Sequence, residues 1–220
     1  MRRDIVTSII GIIVSTVLLG LAYPLGIWGI SQVAFPGNAN GQKVYVNGKL
    51  VGSKIIGQSF KTPVLDKNGK PKEEEEELVT EADPKYFQSR PSATEGGAYN
   101  AAASTFSNRG PNDKVTKEED EANIKEYLEL NKPYDLGLTT AKIPVDAVNT
   151  SASNLDPEIS PANAHIQAHR IAAKRQLSRG VVDGLVAKYT DSRGLGFSGE
   201  PGVNVLELNL ALDRLTGGTH

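Results

Sequence analysis

IVTSIIGIIVSTVLLGLAYPLGIWGI, residues Ile5 to Ile30, contains no charged side chain, and only Arg2, Arg3 and Asp4 separate it from Met1. A helix needs about 20 mostly apolar residues to cross a hydrocarbon core roughly 30 Å thick, and this run exceeds that length. Tyr23 and Trp28 sit near its far end, where aromatic rings favour the level of the headgroups. The rest of the chain is polar. The reading is therefore one membrane anchor, residues 1–35, carrying one soluble domain, residues 36–220.

Charge sets the expected orientation. Arg2 and Arg3 flank the near end, and the next basic residue is Lys43. Positive flanks stay on the cytoplasmic side, which puts the N-terminus inside and the domain outside. A cleaved secretory signal shares a short basic start, but its apolar stretch is usually about 7–15 residues, and no clean A-x-A cleavage string follows here. The chain has no cysteine, in keeping with a compartment where thiols oxidise.

Within the anchor, Thr7, Gly11 and Ser15 recur every four residues, as do Thr16 and Gly20. Small residues at that spacing let helix backbones approach closely in lipid, so this stripe is a candidate face for another membrane helix. Gly and Ser are also simply common in such spans. Pro24 is expected to end or kink the helix near its outer end, since proline lacks the amide hydrogen.

Net charge is −2, with both signs interspersed, and no basic stripe of the kind that binds nucleic acid is present. Residues 42–56 alternate about Asn47-Gly48, which predicts a hairpin with a type I′ turn; Gly57-Gln58-Ser59-Phe60 is read as a further turn. Residues 61–84 show no apolar period and include Glu73 to Glu77. Like charges in a block repel, so this stretch is expected to be an acidic, solvated, mobile insertion rather than a cation site. Residues 85–115 read as irregular backbone. Thr116 and Glu119 suggest a capping box for a helix to about Asn131, stopped by Pro133. Ser160 with Pro161 starts a helix to about Gln176, Ser178 starts another, and Val203 to Leu215 has helical spacing. The expected class is a membrane-anchored α+β protein with one transmembrane helix and one mixed soluble domain.

Catalytic patterns are sought without success. His165 and His169 share a helix face, but Ile166 stands where a zinc hydrolase of the H-E-x-x-H type has glutamate. His220 is the one other histidine. No G-x-S-x-G nucleophile turn and no phosphate-binding G-x-x-x-x-G-K-[ST] string occurs. Gly194, Gly196 and Gly199 space as G-x-G-x-x-G, yet a helical pattern precedes them and Pro201 follows, so they read as a turn. No catalytic and no metal-binding residues are assigned.

The longer strings are more telling. Tyr23-Pro24-Leu25, Phe35-Pro36, Ile56-Gly57-Gln58, Tyr86-Phe87, Arg90-Pro91-Ser92-Ala93, Tyr99-Asn100 and Ser107-Asn108 occur in that order. They are followed by Thr150-Ser151-Ala152-Ser153, Leu155-Asp156-Pro157, Gln167, Arg170 and the closing Val203-Asn204-Val205-Leu206 and Leu208 to Asp213. With these strings the chain resembles the C subunit of the Kdp potassium-transporting ATPase, the KdpC family, over nearly its whole length. The resemblance implies an accessory subunit without catalysis of its own, in a bacterial inner-membrane pump that imports potassium. Implied partners are a potassium-channel-like subunit, a P-type ATPase subunit and a small single-span subunit. ATP, Mg²⁺ and K⁺ would be used by the complex, with no cofactor belonging to this chain. Tyr86, Arg90 and Asn108 fall in the shared strings and are candidate partner contacts.

Gln58 matches the glutamine of a Gln-Asn-Phe-Thr string read in the family as a nucleotide contact, but here Ser59 and Lys61 replace two of its residues. The charge rule also places Gln58 outside, whereas ATP is inside; bonding to turn backbone is the competing role. The rival functions are an anchored envelope hydrolase and an extracytoplasmic ligand-binding module.

Overall fold

The computed structural model describes residues 1–74, 77–105, 108–110 and 112–217. Glu75, Glu76, Ser107 and His220 lie outside the described residues. The apolar run forms one rod from Arg2 to Ala34, 33 residues long, none of it buried against the rest of the chain. It consists of α1 (Arg2–Val17), a π-helical turn (Leu18–Ala22) and α2 (Tyr23–Ala34). The π turn corrects one half of the expectation for Pro24, that it ends the helix. The Tyr23 amide reaches back five residues to the Leu18 carbonyl, and this wider turn makes room for a ring that would clash with the carbonyl four residues before it. The helix therefore continues past Pro24 to Ala34.

A short α3 (Pro36–Ala39) leads into the expected hairpin, β1 (Lys43–Val46) and β2 (Lys49–Ser53). Asn47 and Gly48 both have positive φ, 50° and 79°, the backbone that a type I′ turn requires and that glycine adopts without strain. A bulge lies between Val44 and Tyr45, where pairing steps from Val44↔Gly52 to Tyr45↔Leu50. It keeps Val44, Val46 and Val51 on the core. Residues 57–60 are irregular backbone rather than a turn.

The segment 61–84, in which no period was evident, has paired backbone in its described part. Strand β3 (Lys61–Pro63) pairs with β6 (Thr80–Ala82), and β4 (Glu73–Glu74) pairs with β5 (Glu77–Leu78), both antiparallel. Asp66 closes the loop between them by accepting from the amides of Asn68 and Lys70, which holds its carboxyl below the usual range. Strands of two or three residues are too short to show an alternation.

Helix α4 (Lys114–Asn131) starts one residue after Asp113, whose carboxylate accepts from the Thr116 amide at 3.0 Å. The capping residue is thus Asp113 and not Thr116. A carboxylate suits the positive end of a helix better than a hydroxyl, and Glu119 instead pairs with Arg109 at 2.8 Å. Three 3₁₀ turns follow, then β7 (Glu158–Ile159). Ser160 caps α5 (Pro161–Arg175) and Ser178 caps α6 (Arg179–Lys188), as expected. Strands β8 (Thr190–Asp191) and β9 (Gly202–Asn204) complete a three-stranded antiparallel sheet with β9 in the middle.

The last helix, α7 (Val205–Thr216), begins two residues later than its spacing suggested. Val203 is a fully buried strand residue paired with Ile159 and Thr190, and Asn204 caps the helix through the Glu207 amide.

Helix α5 lies between two apolar clusters. Ala164, Ala168 and Ile171 join Phe60, Phe87, the valines of α6 and β9 and the leucines of α7. Ile166, on another face, packs with Tyr127, Leu138, Ala147 and Val148. The alanines remove side-chain bulk and let α6 and the sheet approach closely.

Candidate functional site

The site is built around irregular backbone from Pro84 to Tyr99, held by polar side chains that helices carry into the interior. Asn209 of α7 accepts from the Phe87 amide at 2.9 Å and donates to the Phe87 carbonyl at 2.9 Å. Gln167 of α5 accepts from the Gln88 amide at 2.8 Å and donates to its carbonyl at 3.0 Å. Each amide thus does for one residue what a neighbouring strand would do, satisfying the backbone donor and acceptor of Phe87 and of Gln88.

Arg170, with no exposed surface, donates to the carbonyls of Pro84 and Tyr86 at 3.1 and 2.7 Å, to Asn131 at 2.6 Å and to Gln167 at 3.1 Å. Burial lowers its guanidinium to about 10. The planar fork serves several oxygens at once, which a lysine ammonium cannot do.

Tyr86 stacks on Phe60 at 5.7 Å, carries the Arg175 guanidinium 4.5 Å from its ring centre, and donates its hydroxyl to Asp213 at 3.3 Å. Burial first, and then the Asp213 charge, raises its pKa. Arg175 and Asp213 are themselves a buried ion pair at 2.8 Å. Arg90 turns elsewhere, to Asp156 at 3.1 Å, Asn149 at 3.0 Å and the Thr150 carbonyl at 3.2 Å. Ser92 donates to the Asn154 carbonyl, and Asn154 in turn binds the Ala93 amide and the Thr105 carbonyl. The Arg90–Ala93 string is therefore the partner of the Asn149–Asp156 string. The Tyr99 hydroxyl donates to the Arg90 carbonyl, and burial pushes it up to about 12.

Gly57 explains another shared string. Its amide donates to the Leu155 carbonyl at 2.8 Å, and a Cβ there would lie 2.6 Å from the Asp156 carbonyl oxygen and against the Tyr99 ring. Gly57→Ala should cost about 1–3 kcal/mol, the range for forcing extra atoms into a filled interior. A fall in the urea midpoint of the full chain, followed by circular dichroism, checks this.

Gln58 lines a cavity of about 210 Å³ with Ser59, Arg90, Tyr99, Asn123 and Tyr127. Its carbonyl accepts from Ser89 at 2.9 Å. Its side-chain Oε1 is buried with no hydrogen-bond partner among the described residues, and so is the Nε of Arg90. The competing role for the Gln58 side chain, bonding to turn backbone, is thus not the one seen for its oxygen.

The two remaining groups of candidates lie apart from this interior. Asn108 is exposed with φ 53°. Thr7, Gly11 and Ser15 form an uncovered stripe on α1, with Thr7 bonded to the Arg3 carbonyl and nothing within 4 Å of a Cβ at Gly11. Thr16 adjoins Gly20, 3.9 Å from a Cβ built there. His165 is bonded to Asp183 at 2.9 Å, and His169 is exposed.

Sequence reading passed over Asn163, and it named Gln167, Arg170 and Asn209 in the shared strings without assigning them a role. For the three on α5 the signal was polarity at i, i+4 and i+7 (Asn163, Gln167, Arg170) on its apolar side, interleaved with Ala164, Ala168 and Ile171; for Asn209 it was a polar residue amid the leucines of α7. Asn163 links Tyr127 to Asp146, continuing the same buried polar seam.

Comparison with known proteins bears directly on these strings. A family model described as KdpC, the K⁺-transporting ATPase c chain, matches residues 5–214. The chain is 42% identical to the potassium-transporting ATPase KdpC subunit of Koribacter versatilis, covering 97% of this chain and 95% of that one. It is 43% identical to the subunit of the same name from Methylococcus capsulatus, over 94% and 96% of the two chains. The corresponding subunit of Bradyrhizobium diazoefficiens is 40% identical, over 97% and 98%.

Proposed function

Because the chain belongs to the KdpC family and is thus a component of a potassium-transporting ATPase complex, we propose that its task is to assemble and steady that complex. The observation that carries this reading is an apolar rod of 33 residues with no part buried by the chain's own domain. Such a rod is covered by lipid or by other membrane helices, and the stripe at Thr7, Gly11 and Ser15 offers the close approach that helix pairs use. In the proposed complex the neighbours are the channel-like subunit, the P-type ATPase subunit and the small single-span subunit. ATP, Mg²⁺ and K⁺ belong to those companions, and this chain brings no cofactor. The proposed placement is in the inner membrane, N-terminus in the cytoplasm and domain outside, following the arginine flank.

Gln58 is the one candidate for a nucleotide contact, and its open Oε1 keeps that role as a secondary proposal. The outward placement of the domain counts against it.

Co-purification tests the assembly role. Gly11→Leu adds bulk to the stripe and should reduce recovery of companion subunits in mild detergent by about fivefold or more, since close packing and interhelical bonds in membranes contribute about 1–2 kcal/mol. Unchanged recovery would overturn the packing face. Labelling of Lys125 by an amine reagent confined to the cytosol would overturn the orientation.

A further inference from the structure

The strongest unexplained surface is the outward side of the β1–β2 hairpin. Tyr45 and Leu50 face each other across the ladder, are 56% and 50% exposed, and have Ile55, also 50% exposed, just beyond the strand. Lys43 stands on the same outer side, two residues before Tyr45, and Lys49 marks the turn end; both are exposed. A groove of about 420 Å³ runs between Lys43, Leu50, Ile56 and the connector residues Asn40 and Gly41.

The connector ties this face to the end of the span. Asn40 donates to Gln32 of α2 at 3.1 Å and to the Pro36 carbonyl at 2.7 Å. The Gln42 amide binds the Gly37 carbonyl at 2.8 Å. Ser53 donates to the Gly41 carbonyl at 2.6 Å, and the Lys54 amide binds the Gln42 carbonyl at 3.1 Å. The hairpin is thus bonded to the end of the rod through an unbroken series of contacts. A 33-residue helix is about 50 Å long, and a bilayer with its headgroups is about 40–45 Å thick. With Arg2 and Arg3 at one headgroup layer, Ala34 emerges at the edge of the other.

We propose that the outer face of the hairpin, with Tyr45, Leu50, Ile55 and Lys43, rests on the phospholipid headgroup layer where the anchor emerges. This rests on the membrane-span reading of residues 2–34. Tyrosine and lysine both place an apolar body below a polar tip, the arrangement that suits this layer. Lys43 is available to phosphate oxygens, whereas Lys54 is already paired with Glu207 at 2.6 Å.

The chain has no cysteine, so single sites can be labelled in the whole protein. Nitroxide at Leu50→Cys, and separately at Ile55→Cys, is read in nanodiscs of phosphatidylethanolamine and phosphatidylglycerol. Collision with a water-soluble nickel chelate should be about fivefold lower than at Leu136→Cys, a site 87% exposed, as expected for about 1 kcal/mol of surface preference. Nickel access at both hairpin sites equal to that at the control overturns the proposal. So does protection that appears only after companion subunits are added, which would assign the face to protein. Leu19→Cys separates the two readings: oxygen-rich and nickel-poor there with an aqueous hairpin, only this inference falls; nickel-accessible there, the span itself falls.

Discussion

Replacing Arg170 with methionine will lower the stability of the soluble domain by about 2–4 kcal/mol. Two effects oppose each other. Removing a fully buried guanidinium relieves its desolvation, and exchange for an apolar residue of similar length is sometimes neutral. Here, however, the Pro84 carbonyl and Asn131 Oδ1 lose their bonds to Arg170, and the Tyr86 carbonyl keeps only a 3.3 Å contact from Gln88. Each buried acceptor left open costs about 1–3 kcal/mol, so the loss wins. Arg170→Lys should not restore the midpoint, because one ammonium cannot span oxygens contributed by one loop and two helices. The measurement is urea unfolding of the full chain in a nonionic micelle, with the midpoint falling and the slope unchanged. A midpoint equal to the parent's would show that the Pro84–Gln88 backbone is held by Asn209 and Gln167 alone.

Phe87→Ala should cost about 3–5 kcal/mol, the range for emptying a buried aromatic site. The upper part of that range applies because the cavity cannot close by loop movement. Both backbone groups of Phe87 are fixed by Asn209 at 2.9 Å. Adding Asn209→Ala to Phe87→Ala should therefore cost less than the two single losses together, since the second change frees the loop to collapse. Strict additivity in a double-mutant cycle would show that the loop is not what holds the cavity open.

Much of the architecture was legible because it rests on local chemistry. Asn47-Gly48 specifies its turn with two residues, and Ser160-Pro161 and Ser178 specify helix starts by bonds three residues ahead. The anchor needs only length and the absence of charge. The β-arm at 61–84 was hidden because its strands are so short and its sequence is dominated by charge. The start of α7 was misplaced because Val203 suits a helix face and a strand equally, and only the pairing with Ile159 and Thr190 decides between them. The buried seam was hidden for another reason. Asn209 finds Phe87 across 122 residues and Arg170 finds Pro84 across 86, distances at which no window of sequence carries a signal.

The shared strings were visible, but their meaning was not. Arg90 and Tyr86 were read as candidate partner contacts, and the structure gives both of them internal partners as well. Arg90 joins the 90–93 segment to the 149–156 segment, and Tyr86 closes over the Arg175–Asp213 pair.

The bonded connector between Gln32 and Lys54 has a mechanical consequence. A rod longer than the local bilayer relieves mismatch by leaning, and a swivel would normally absorb that lean before it reached anything outside. Here the joint is hydrogen-bonded from Gln32 to Lys54, so inclination of the rod is expected to be passed on to the hairpin rather than absorbed at the connector. On that expectation, bilayers of different thickness should present the domain at different pitch.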